Sequence, residues 1–151
     1  GHIAAAKPGE ADAARGRAVF KRTCAQCHKL FDDGGNVGPD LTGSGRADVD
    51  YLLQNMVDPN AITPKDYQVW LIKTINGQVI SALLKSQDAQ TVKIQTQTET
   101  MVLPRSQLKS MKQTDLSMMP EGLLTGMSKR DLLDLIGYMR NPSQVPLPAG
   151  K

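Results

Sequence analysis

Five residues near the amino terminus, Cys24-Ala25-Gln26-Cys27-His28, determine how the rest of this sequence is interpreted. Two thiols separated by two residues can reach both vinyl groups of one porphyrin, and the histidine that follows is placed to bind the central iron through a ring nitrogen. The spacing therefore predicts one covalently attached haem c. Cys24 and Cys27 are the predicted attachment points, and His28 is the predicted proximal iron ligand.

Two other kinds of site share the Cys-x-x-Cys spacing, namely a redox dithiol and a zinc site. A zinc site needs further ligands, but the sequence contains two cysteines and two histidines in all. The second histidine, His2, belongs to Gly1-His2, which is interpreted as a cloning remnant. A short predicted helix before the motif and a Gly- and Pro-rich segment after it favour haem over both alternatives.

The residue on the opposite side of the haem decides which function is expected. Once His2 is set aside, a second histidine ligand is excluded by counting, and Met, Lys, water or an open position remain. Methionine ligation raises the reduction potential, which suits electron transfer. Met118 and Met119 lie just before the last predicted helix, with Pro120 behind them to restrict the loop. Met119 is the preferred ligand, and Met118, or a covering role for both, is the alternative.

The hydrophobic pattern predicts helices at both ends of the chain and strands between them. Helical periodicity occurs in three segments, 11–23, 48–57 and 128–139, and Asp48 and Ser128 are the predicted N-caps of the second and third. Alternation rich in β-branched residues extends over about 67–108, where Asn76-Gly77 indicates a hairpin turn. Residues 109–126 are predicted as a loop.

From this pattern we expect a mainly α fold centred on the haem, with an inserted small antiparallel sheet or barrel-like module. The predicted organisation is a single domain over 11–141 with a β insertion at about 67–108. Residues 1–10 are interpreted as a flexible leader and residues 142–151 as a tail.

Composition excludes several other classes of protein. The net charge is +3, and no run of Lys or Arg exceeds two residues, so a nucleic-acid binder is not expected. No apolar run approaches the roughly 20 residues that span a bilayer. Aromatic residues make up 4% of the chain, which suits a core that a porphyrin completes. Because this kind of haem attachment happens outside the cytoplasm, we expect a periplasmic or otherwise extracytoplasmic location, with a signal segment removed.

Further residues carry a resemblance to class I cytochrome c. They are Gly16, Phe20, Cys24-x-x-Cys27-His28, Gly38-Pro39-x-Leu41, Met119-Pro120, Leu135 and Tyr138. The resemblance implies that the first and last helices pack through their glycine and aromatic residues. It also implies that the Pro39 carbonyl accepts a hydrogen bond from His28, and that Met119 is the distal ligand.

The segment Met-Pro-Glu-Gly-Leu-Leu at 119–124 is similar to haem-binding domains of planctomycete and verrucomicrobial dehydrogenase-like proteins. This narrower resemblance implies an electron-accepting domain whose partner is a fused or associated dehydrogenase or another redox protein. No catalytic triad or carboxylate pair stands out, so an electron carrier is expected and not an enzyme. The alternative is a gas-binding or sensing haem protein. Arg46 is a candidate for binding a haem propionate, with a plain surface role as the other interpretation.

Overall fold

The structure, a computed structural model, describes residues 11–61 and 63–149; the predicted leader 1–10 lies outside them. The chain forms two compact units. The first contains the residues up to Asp58 and those from Glu121 onward, and the second is Pro59–Pro120. The chain thus leaves the first unit once and returns to it once.

Three helices and a short hairpin build the first unit. Their bounds are α1 Ala13–Thr23, β1 Lys29–Leu30, β2 Asp33–Gly34, α2 Val49–Val57 and α3 Lys129–Arg140, with a 3₁₀ turn at Leu123–Gly126. Each helix begins at a capping side chain. Asp12 and Asp48 accept backbone N–H groups of α1 and α2, and Ser128 forms a capping box with Asp131. The predicted N-caps Asp48 and Ser128 are therefore confirmed.

The packing of α1 against α3 organises the first unit. A Cβ atom placed on Gly16 would lie 1.9 Å from the Asp134 carbonyl oxygen, so the two backbones touch where the helices meet. One turn further, the rings of Phe20 and Tyr138 meet edge to face, with centroids 5.6 Å apart. Leu135 is fully buried beside them. This is the helix packing that the resemblance implied.

A buried carboxylate strengthens the same contact. Asp134 is fully buried, and its Oδ1 accepts the Asp12 N–H at 2.8 Å. Its Oδ2 accepts from Arg130 Nε at 3.1 Å and lies 3.5 Å from Arg15 Nη1. Because a buried charge is costly without partners, these contacts make Asp134 a fixed link between the start of α1 and α3.

The second unit is a five-stranded antiparallel sheet with the order β6-β5-β4-β3-β7. Its strands are β3 Gln68–Thr74, β4 Val79–Gln87, β5 Thr91–Gln95, β6 Thr100–Pro104 and β7 Leu108–Ser117. Asn76-Gly77 connects β3 to β4 as predicted, with Gly77 at φ 89°. The core on one face consists of Ile72, Ile80, Ala82, Val92 and Ile94. Near the ends of the unit, Ser117 N–H donates to Asn60 Oδ1 at 2.7 Å.

The expectation of a mainly α fold is wrong. Among the described residues 30% are helical and 29% lie in strands. Residues 109–117 were predicted as loop but belong to β7, the longest strand among the described residues. Its pairing with β3 shifts register twice, between Gln68 and Trp70 and between Lys73 and Thr74. Such bulges break the alternation of buried and exposed residues, so the period-2 signal is missing from this segment.

Gly16→Ala tests the helix contact. We expect a loss of about 1–3 kcal/mol in the free energy of unfolding, because the added methyl overlaps the Asp134 backbone. Denaturant unfolding of the haem-loaded protein measures it. Gly43→Ala is the control, because a Cβ there meets nothing within 4 Å. Equal stability of the two variants would show that the helices do not approach this closely.

Candidate functional site

The motif Cys24 to His28 forms a tight turn that continues from the end of α1. Cys24 is the C-cap of that helix, and its N–H donates to Phe20 O at 2.8 Å. The N–H groups of Cys27 and His28 both donate to Cys24 O, at 3.1 and 2.9 Å. The two thiols and the imidazole are thereby carried on one hydrogen-bonded turn.

The hydrogen bond of His28 fixes the tautomer of its imidazole. Nδ1 lies 2.8 Å from the Pro39 carbonyl oxygen, which can only accept, so Nδ1 carries the proton. Burial lowers the pKa of His28, although the bond to Pro39 acts in the opposite direction. Within the described residues Nε2 makes no hydrogen bond. A neutral ring with a lone pair on Nε2 is the form that binds a metal.

The two thiols have the opposite character from a redox dithiol. Burial, and then the charge of Cys27, raise the pKa of Cys24 to about 12, and burial raises the pKa of Cys27. Reactive Cys-x-x-Cys motifs instead have a lowered thiol pKa. No group of three His, Cys, Asp or Glu side chains in the described segments is arranged around one metal ion. The donor set therefore fits a haem, which takes the thiols at its edge and the imidazole at its centre.

The segment that follows the motif folds back onto it through backbone hydrogen bonds. Gly35 N–H donates to Ala25 O at 2.8 Å, and Gly38 N–H donates to Cys27 O at 2.7 Å. A Cβ on Gly38 would lie 2.7 Å from Cε1 of His28. The imidazole ring therefore rests on the Gly38 backbone, and only glycine allows that approach.

The role of Phe31 was not predicted. It occupies the first central position of the β1–β2 hairpin with φ 52°, a conformation that is unfavourable for a bulky residue. Its ring packs edge to face on Tyr138, with centroids 6.1 Å apart, and Arg46 lies 4.8 Å above its centroid. These contacts stabilise the turn that directly follows His28. An aromatic residue in a Gly- and Asp-rich segment was the available signal.

Arg46 makes contacts that neither sequence interpretation included. Its Nε donates to Thr42 O at 3.0 Å, and its Nη1 donates to the carbonyls of Met139 and Asn141 at 2.8 and 2.5 Å. The side chain thus joins the loop that carries Pro39 to the carboxyl end of α3. Its binding to a propionate stays a prediction.

The predicted site residues divide between the two units. The first unit brings together Cys24, Cys27, His28 and Pro39, whereas Met118 and Met119 belong to the second unit and directly precede its last residue. Met119 is partly buried, and its N–H donates to Ser117 Oγ at 3.1 Å. Met118 lines a groove in the sheet unit. The assignment of Met119 as a ligand stays a prediction.

Gly38→Ala tests how the imidazole is held. The methyl would push the ring away, lengthen the bond to Pro39 and lower the free energy of unfolding by about 1–3 kcal/mol. NMR measurement of Nδ1 proton exchange with water should show faster exchange than in the unaltered protein. Gly126→Ala, where a Cβ meets nothing within 4 Å, should leave both properties unchanged. Unchanged exchange in Gly38→Ala would contradict the contact.

Comparison with known proteins identifies this region. Residues 11–82 match the model of the family described as "Cytochrome C oxidase, cbb3-type, subunit III". The match covers α1, the Cys24 to His28 turn, α2, β3 and the first residues of β4. A search of curated proteins found no match. Residues 11–82 are thus similar to a domain of the cytochrome c family, and this similarity supports haem-based electron transfer in general.

Proposed function

We propose that this chain is an electron carrier, and not an enzyme, with one haem attached through thioether bonds to Cys24 and Cys27. In this proposal His28 and Met119 are the axial ligands. The observation that carries it is the neutral His28 ring, held by Pro39 at Nδ1 and without a hydrogen bond at Nε2 among the described residues. The haem iron, when bound, supplies a one-electron redox couple.

The residues of the first unit have separate tasks in this proposal. Cys24 and Cys27 hold the cofactor at its edge, so that it cannot dissociate. The Pro39 carbonyl accepts the Nδ1 proton at 2.8 Å, fixes the ring plane and increases the basicity of the ligand. Gly38 and the loop anchored by Arg46 keep that carbonyl in place. A ligand held this firmly needs little rearrangement when the charge of the iron changes.

The surroundings of the two methionines support Met119 as the second ligand. The Met118 side chain contributes to the groove formed with Leu71, Leu116 and other sheet residues, which accounts for its position. Met119 is not among the residues that line this groove. A thioether ligand raises the potential and fills the position that a gas ligand would need.

The proposed physiological context follows from the resemblances. We place the chain in the periplasm or another extracytoplasmic compartment, where it accepts electrons from a fused or associated dehydrogenase or from another redox protein. The similarity of 119–124 to planctomycete and verrucomicrobial haem-binding domains supports a dehydrogenase as the donor. None of the helices within the described residues has the length and apolar character that crossing a membrane requires.

Met119→Ala and Met118→Ala form a matched pair that tests the ligand. The oxidised, haem-loaded protein should show the weak sulfur-to-iron absorption band of a Met-ligated haem. Met119→Ala should abolish this band, and Met118→Ala should keep it. Loss of the band in Met118→Ala alone would move the ligand by one residue.

Carbon monoxide separates electron transfer from gas binding. Because Met119 occupies the sixth position in our proposal, the reduced protein should be low-spin and should bind CO slowly, whereas Met119→Ala should bind it faster by about tenfold or more. Stopped-flow absorption measures both rates. A high-spin spectrum and rapid CO binding in the unaltered protein would favour the gas-sensing function.

A further inference from the structure

The net positive charge of this chain comes from the sheet unit. Pro59–Pro120 contains seven Lys and Arg against four Asp and Glu, a net charge of +3. The rest of the chain contains eleven of each and is neutral. The four ion pairs among the described residues all join residues of the first unit. The unit without the haem motif therefore supplies the excess charge.

Part of this charge lies on the face of the sheet opposite its core. Two rows cross strands β4, β3 and β7 there, Val79–Lys73–Ser110 and Ser81–Leu71–Lys112. All six residues are exposed. We name these six residues the open face. Its two cations stand beside two apolar side chains, Leu71 and Val79, that remain 42% and 57% exposed.

The open face continues into the groove that ends at Met118. The groove has a volume of about 530 Å³ and shares Leu71 and Ser81 with the open face. It is also lined by Leu116, which is half exposed, and by Met118. Met118 is bonded through one peptide to Met119, the proposed iron ligand. A partner on this surface would therefore contact the neighbour of a ligand.

We propose that the open face and its groove form the docking site for a redox partner with an acidic surface, an inference that rests on the proposed function. Carboxylates of the partner would face Lys73 and Lys112, and its apolar groups would cover Leu71 and Val79. Such a mixture of a few charges with apolar contacts is typical of small, short-lived electron-transfer interfaces. The charge increases the rate of encounter, and rapid release follows from the small contact area.

Two other classes of partner fit these observations less well. A nucleic acid is bound mainly through many phosphate contacts, and the open face offers two cations. An anionic membrane is likewise held by clusters of basic residues, at about 1 kcal/mol for each. The exposed Leu71 and Val79 instead favour a protein surface.

The test uses haem-loaded protein and reduced flavodoxin, an acidic flavoprotein, as the probe. Lys73→Glu/Lys112→Glu should slow haem reduction by about tenfold or more at low salt. The difference should vanish near 1 M salt, where the Debye length is about 3 Å. The control is Lys85→Glu/Lys93→Glu, with the same change in charge. Lys93 pairs with Ser86, which is five residues along β4 from Ser81, a residue of the open face, or roughly 17 Å.

Two further measurements separate failure of docking from failure of the proposed function. Hydroquinone, which is small and uncharged, should reduce all variants equally; a haem that neither hydroquinone nor the stronger reductant dithionite reduces in the unaltered protein would refute electron transfer itself. Calorimetric binding of oxidised flavodoxin, which does not depend on haem reduction, should weaken only in Lys73→Glu/Lys112→Glu. Equal weakening in the control pair would leave net charge as the cause and overturn the docking site. The docking site would also be overturned if Lys73→Glu/Lys112→Glu changed only the binding to phosphatidylglycerol vesicles or only self-association.

Discussion

The hydrogen bond from His28 Nδ1 to the Pro39 carbonyl is the interaction on which the account of this site depends. It joins the turn at the end of α1 to the loop that follows, and it leaves Nε2 of a neutral ring available for the proposed bond to iron. The surrounding structure holds its two ends. Gly38 lets the backbone pass against the ring, and Arg46 binds the loop to the carbonyls that end α3. The contact of α1 with α3 at Gly16 fixes the helix from which the motif turn continues.

The two units have different roles in the proposed function. The first unit has equal numbers of cationic and anionic residues, and four ion pairs join some of them within its described residues, which suits a rigid site. The second unit has an apolar core on one side of its sheet and cations on the other. The proposed docking surface thus lies on the sheet and uses none of the residues that are proposed to bind haem.

The parts of the fold and the site that depend on a short local sequence signal could be predicted. The Cys24 to His28 spacing, the N-caps Asp48 and Ser128, and the Asn76-Gly77 hairpin are local signals, and the hairpin and caps are confirmed. β7 could not be predicted, because its bulges remove the alternation by which a strand is detected. The contacts of Phe31 and Arg46 were also missed. Both depend on residues of α3 about 100 positions away, and no local pattern carries such information.

The central claim is that the turn from Cys24 to His28 holds one haem covalently. The most direct test is the mass of the intact, unfolded protein after expression with haem attachment outside the cytoplasm. We expect the mass of the chain plus one haem, with no free thiol. We also expect one free thiol in Cys24→Ala, with haem still attached at Cys27. A mass equal to that of the chain alone, with two free thiols and haem lost on unfolding, would contradict the claim.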